Sequence, residues 1–175
     1  MEDVEWQQVR DRRLRSDFRK LQELVRNSDF ISIESMQGDP PETYVLRFTC
    51  RGVARPGILG PEYSEQHRVL IQLPTEYPTK PPRMRWLTPI FHPNINEEGT
   101  WVCVDVWWPS KFLDDLCIML GRMIQYKNYN PHNPLRGDAA KWAIEYAHLL
   151  PVDKRPLRRG VPDAEFPESF EIRIL

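Results

Sequence analysis

From Leu14 through Phe18 and Leu21 to Val25, apolar residues recur at steps of 4, 3 and 4, the repeat of one face of an α-helix. The spacing predicts a helix over about residues 5 to 26, with Arg12, Arg15, Arg19 and Arg26 in line on its solvent side. Past this helix the period shortens. Phe30 to Met36, Tyr44 to Cys50 and His67 to Leu73 are β-prone, and the third places Val69, Ile71 and Leu73 on one side. The intervening GDPPE and RGVARPGILGPEY are turn material, so an antiparallel meander is expected.

Leu73 to Asn96 holds six prolines and one short strand-like piece, Met84 to Leu87. Proline cannot donate to a ladder, so this run is expected to cross the surface as an ordered loop, a common home for function. The helical period returns from Phe112 to Tyr126, with Leu113, Leu116, Leu120, Met123 and Ile124 in phase and Asp114 and Asp115 in the first turn. This segment has the pattern of a central buried helix. NYNPHNPL then leads to a third helix over Gly137 to Leu149, with Ala140, Ala143, Ile144 and Ala147 expected inward. The resulting order of helix, four strands, Cys-containing loop and two helices is an α+β layout. Residues 1–150 form one expected domain and 151–175 a proline-rich extension, which either drapes over the domain or binds a partner. Its last residues, FEIRIL, are a candidate added strand.

Composition narrows the class. At 175 residues, 41% hydrophobic and 28% charged, the chain can bury a core without metal or disulfide support. No apolar run nears the roughly 18 residues of a membrane span, and the charged N-terminus has no signal-peptide core. A non-membrane, cytoplasmic protein is the expectation. A net charge of -1 argues against general nucleic-acid binding, although Arg supplies most of the basic residues and local basic patches are possible. Three cysteines, Cys50, Cys103 and Cys117, give neither a disulfide framework nor metal-ligand spacing. No metal or other cofactor is expected.

Cys103 lies in EEGTWVCVDVWWP, just past a glycine turn and eleven residues beyond His92 of FHPNIN. A thiolate nucleophile needs such a short presenting loop, yet a lone Cys between Val102 and Val104 is more often a small buried hydrophobe. Cys117, amid Leu116 and Ile118, and Cys50, at a strand end, read as structural. Trp101, Trp107 and Trp108 flank the candidate nucleophile as packing groups or as a wall for a bound chain.

The ordered set LPTEYPTKPP, HPN, glycine turn, Cys103, Trp-Pro, helix and NPHNPL resembles the ubiquitin-conjugating enzyme family over roughly residues 10 to 148. The resemblance implies that family's α+β fold: a four-stranded antiparallel meander with an N-terminal helix, a central helix and C-terminal helices. It also implies an acyltransferase that accepts a ubiquitin-like modifier from an activating enzyme as a Cys103 thioester and passes it to an amine of a substrate protein. Asn94 matches the asparagine that organises the active-site loop and stabilises the oxyanion. His92 and Pro93 match supports of that loop, with direct proton transfer by His92 the lesser alternative. The basic face of Arg12, Arg15 and Arg19 matches the docking place of the activating enzyme; a plain solvated face is the alternative.

Several positions depart from the family pattern. Where members carry an acidic residue that helps the attacking lysine lose its proton, this chain has Asn133 beside His132, leaving His132 or Asp138 as substitutes. Asn94 to Cys103 is one residue longer than usual, and Cys103 to Trp108 about three shorter. Thr79 replaces a bulky apolar residue and Lys111 a small one, so a RING-type ligase would lose its anchor there. Such divergence resembles bacterial ubiquitin-like conjugation systems, some of them antiviral. Rival readings are a non-catalytic modifier-binding module of the same fold, a cysteine hydrolase pairing Cys103 with His92, and nucleic-acid binding through the arginines.

Overall fold

The computed structural model describes residues 2–103 and 107–162. Helix α1 (Glu2–Arg26) precedes β1 (Ile31–Gly38), β2 (Pro41–Phe48), the short pair β3 (Gly52–Arg55) and β4 (Glu62–Ser64), β5 (His67–Gln72) and β6 (Arg83–Trp86). Helices α2 (Leu113–Ile124) and α3 (Gly137–Glu145) and a 3-10 turn (Ala147–Leu149) complete the order. Strands β1, β2, β5 and β6 form one antiparallel sheet in that order, with Leu46 facing Ile33 on one side and Val69 on the other.

Alternation sends Tyr44, Leu46, Phe48, Val69 and Ile71 into the core, where Leu14, Leu21 and Leu24 of α1 and Leu113, Cys117, Leu120 and Ile124 of α2 join them. Burying each such aliphatic side chain contributes about 2 kcal/mol, which is why the two periodic stripes govern the architecture. The inward face of α1 also includes two charged residues, Arg10 and Asp17. Arg10 donates to Glu42 (2.9 Å) and to the carbonyls of Leu73 (3.2 Å) and Pro74 (3.0 Å), binding α1 to the far end of β5.

Two expectations are corrected. RGVARPGILGPEY is not turn throughout: β3 and β4 form a hairpin inside it, Gly52 opposite Ser64 and Val53 opposite Tyr63. Strands of four and three residues are too short to show a period. Gly52 is required there, since a Cβ would stand 2.7 Å from His67 Nε2 and 2.8 Å from Ile124 Cγ2. The third helix ends at Glu145, and its inward face is Ala139, Ala140 and Ala143; Ile144 and Ala147 are exposed. Chain beyond the helix takes over part of the covering: Leu157 is 1% exposed and packs so closely on Gly121 that a Cβ there would meet its Cδ1 at 2.8 Å. Arg158 pairs with Asp114 (2.7 Å), and the Arg159 amide donates to the Asn27 carbonyl (2.7 Å), so residues 157–159 run over α2 back to the end of α1. FEIRIL lies outside the described residues.

His67 opens β5 fully enclosed, donating from Nε2 to the Ser64 carbonyl (3.1 Å), and burial depresses its imidazole pKa to about 4. The unfolded imidazole titrates near 6.5, so between these values the unfolded chain binds the extra proton. Stability from this group is complete above about pH 6.5 and is lost as pH falls toward 4. Urea unfolding should therefore weaken by about 1.4 kcal/mol per pH unit across that window on account of His67. The substitution His67→Gln should remove that part of the slope, and an unaltered pH profile would contradict this origin.

Candidate active site

The cysteine hairpin begins at Asn94 and ends at Cys103. The Cys103 amide donates to the Asn94 carbonyl (2.8 Å), Ile95 bridges Val102, and the Asn96 amide donates to the Trp101 carbonyl (3.0 Å). The Asn96 side chain fills the bend: Oδ1 accepts from the Trp101 amide (2.8 Å), and Nδ2 donates to Thr100 Oγ1 (3.1 Å) and Glu98 Oε2 (2.7 Å). Gly99 turns the chain at φ +69°, and its carbonyl accepts from the Trp86 amide (2.7 Å). Any Cβ would approach Trp86 Cβ to 2.8 Å, so glycine is needed for both conformation and clearance. The hairpin thus hangs on the end of β6.

Cys103 is half-buried, whereas Cys50 and Cys117 are enclosed. Burial pushes the Cys50 thiol up to about 12 and the Cys117 thiol well above its ordinary value, so neither supplies thiolate near neutrality. Of the three sulfurs, only that of Cys103 combines a loop position with partial access.

Behind the hairpin, His92 and Asn94 are fully enclosed. His92 Nδ1 accepts from the Asn94 amide (3.1 Å), and the ring packs on Tyr126 (centroids 4.8 Å apart). Burial depresses its pKa to about 3, so at neutral pH the ring is uncharged. Asn94 Oδ1 accepts from the Asn130 amide (2.7 Å), and Nδ2 donates to the Asn130 carbonyl (3.0 Å). The Pro93 carbonyl accepts from the amides of Leu135 (2.8 Å) and Arg136 (3.0 Å). The HPN turn is in this way stapled to the loop that presents His132 and Asn133, both exposed. Asp138, also exposed, is taken up by Arg136 (3.1 Å) and by the Ala139 amide (2.8 Å).

Across the cysteine, Trp107 donates its indole N–H to the Pro78 carbonyl (2.8 Å) and tilts against Tyr77, while Trp101 and Trp108 are exposed. Arg12, Arg15 and Arg19 point to solvent, with Arg15 3.6 Å from Asp39; Thr79 is exposed and Lys111 half-buried. Inward from them lies a charged cluster that the apolar pattern conceals. Asp17, 0% exposed, accepts from Tyr77 Oη (2.7 Å), Arg13 Nε (2.8 Å) and the Leu113 amide (2.9 Å). The one signal for it in the sequence is the four-residue spacing of Arg13 and Asp17. Among the described residues no group of three or more His, Cys, Asp or Glu could hold a metal ion, and no helix is long and apolar enough to cross a membrane.

Asn94→Asp would set a carboxylate oxygen against the Asn130 carbonyl in place of the donating amide. This should cost about 2 kcal/mol in urea unfolding at pH 7, and wild-type stability would show that the staple carries no energy.

The pattern of the ubiquitin-conjugating enzyme family matches residues 54–148. Over 69 residues, 37% of this chain and 43% of the relative, the sequence is 38% identical to the Arabidopsis thaliana protein named "Probable ubiquitin-conjugating enzyme E2 31". Over 100 residues, 44% of this chain and 50% of the relative, it is 33% identical to ubiquitin-conjugating enzyme E2 T of Danio rerio. The chain spans about half the length of these curated relatives. The E2 domain of a Toxoplasma gondii ubiquitin conjugating enzyme superposes with a TM-score of 0.56 at 22% identity, covering 79% of this chain and 89% of that one. S. cerevisiae Ubc12 superposes at 0.58 and 22%, covering 79% and 73%.

Proposed function

Because the chain belongs to the ubiquitin-conjugating enzyme family, we propose that it carries a ubiquitin-like modifier as a thioester on Cys103 and transfers it to an amine. The observation that carries this reading is the accessibility of one thiol, Cys103, at the end of a hairpin buckled to Asn94, while the two other thiols are sealed in the core.

In the first step the Cys103 sulfur attacks the modifier's C-terminal carbonyl, held as a thioester on the activating enzyme. The Cys103 C–S bond forms, the activating enzyme's thiolate leaves, and the proton of Cys103 passes to solvent or to that thiolate. In the second, an uncharged substrate lysine attacks the same carbon. The oxyanion collapses, the C–S bond breaks, and an amide and the Cys103 thiolate remain, the amine having shed its extra proton to solvent or a neighbouring base. A thioester is already activated, so placement of the sulfur and of the incoming amine supplies most of what the protein must contribute.

Asn94 acts in this scheme chiefly by holding the 130–136 loop against the hairpin; its enclosed amide already serves Asn130, and an oxyanion contact would have to come from the second Nδ2 proton. His92, neutral and enclosed, supports the turn and takes no proton from substrate. His132 and Asn133, exposed on the stapled loop, are the groups on hand to orient the lysine. Arg12, Arg15 and Arg19 offer the activating enzyme a cationic face. A ligase seated on Thr79 and Lys111 would meet polar groups in place of an apolar anchor.

Incubation with ubiquitin, a ubiquitin-activating enzyme and ATP should give a thiol-labile adduct on the wild type, a thiol-resistant oxyester on Cys103→Ser, and wild-type adducts on Cys50→Ser and Cys117→Ser. Absence of any adduct on the wild type would favour a non-catalytic binding module. Asn94→Ala should still load and then discharge to free lysine about a hundredfold more slowly, by loss of loop order and any oxyanion donation; equal slowing of both steps would contradict its assignment to transfer.

A further inference from the structure

Resting on the assignment of Cys103 as the thioester site, we infer that Arg13 of α1 is a positioning residue for transfer, fixing the chain that follows the nucleophile. Upstream, the nucleophile is held by the hairpin, its amide on the Asn94 carbonyl (2.8 Å). Downstream, residues 107–112 lead into α2, and their fastenings run to other elements. Trp107 reaches Pro78 (2.8 Å) at one end of the segment. Arg13 adds two more: Nη1 donates to the Pro109 carbonyl and Nη2 to the Lys111 carbonyl.

The guanidinium is itself immobilised. Nε donates to Asp17 (2.8 Å) and Nη2 also to Tyr77 Oη (3.1 Å), while its Cζ lies 4.4 Å from the Phe112 ring centroid and 5.2 Å from that of Tyr77. Its side chain is 12% exposed. Arg13 thus spends its donors on two backbone carbonyls of the post-cysteine segment and on two groups that fix its own place. Only a planar fork can do this. A lysine ammonium in the same site could answer Asp17 but could not also span Pro109 and Lys111.

Position matters here because a thioester needs geometry more than chemical activation, and a displacement of about 1 Å at the reacting atoms can cost about a hundredfold. Cys103 and Trp107, the first residue of the fastened segment, are four positions apart in the sequence.

The test is single-turnover discharge. Wild type, Arg13→Lys and Arg13→Ala are charged with ubiquitin, ATP is removed, and free lysine is added over a range of concentrations, so that docking of the activating enzyme does not enter the rate. Arg13→Lys should melt near the wild-type temperature yet discharge about tenfold or more slowly at saturating lysine, with the half-saturating concentration unchanged. Arg13→Ala should be as slow and also less stable. Discharge by Arg13→Lys at the wild-type rate would overturn the inference, because a purely structural arginine is rescued by the cation that preserves the fold. Should Arg13→Lys fail to fold, Arg13→Gln decides: it too cannot span the Pro109 and Lys111 carbonyls, should slow saturated discharge with the half-saturating concentration unchanged, and at wild-type speed would refute the clamp. If the wild type forms no thioester, the Cys103 assignment falls and this inference with it; if it loads and discharges normally while Arg13→Lys matches it, Arg13 alone is at fault.

Discussion

A single buried carboxylate holds the structure's three principal parts together. Helix α2 starts after Phe112, whose phenyl ring cannot accept a hydrogen bond from the first turn in the way that Ser, Thr or Asp would. Asp17 supplies that acceptor from another helix, taking the Leu113 amide on Oδ1 and Tyr77 and Arg13 on Oδ2. Burial raises its pKa in spite of these donors, a sign that desolvation is large and that the site depends on every partner being present. The positive end of the α2 dipole adds to the compensation. Through one side chain α1, the proline-rich crossing and the central helix share a fixed relation.

That relation bears directly on the cysteine. Its chain is held from two directions that do not overlap: behind by the HPN turn, the Asn94–Asn130 staple and the Gly99 turn on β6, and ahead by Trp107 and the Arg13 cluster. The first set reports on the sheet and the loop after α2. The second reports on α1 and the Tyr77 region. A thiol so suspended is placed by the tertiary fold as a whole, even though it sits in a loop and is only half-buried.

The α1 stripe, four main strands and α2 were legible because each buries a long face, and burial imposes a period of 3.6 or 2 on the residues that do it. Cys103 was singled out by its neighbours in the motif order, and its thiol is the half-buried one of the three. What escaped notice lacks periodicity or looks like its opposite. Strands β3 and β4 are shorter than a recognisable alternation. Arg10 and Asp17 interrupt the apolar face of α1 as charges and so resemble surface, though both are enclosed. Ile144 looks like core by type and spacing, but the helix stops at Glu145, and Leu157 and Arg158 cover part of α2 instead. Asn94 was expected by motif to organise its loop and to stabilise an oxyanion; that its loop partner is Asn130, 36 positions away, is a tertiary fact that no local pattern encodes.

Leu157 against Gly121 carries a further implication. A knob seated on a glycine in the middle of the central helix couples two positions that the family pattern, ending at residue 148, does not join. In related chains that keep this strap, size at the two sites should trade: a larger residue on the helix with a smaller one on the strap, or the reverse. A chain cut at the family boundary would wet a cleft shaped for leucine and strip Asp114 of its arginine, so packing continues past the stretch that is recognisable.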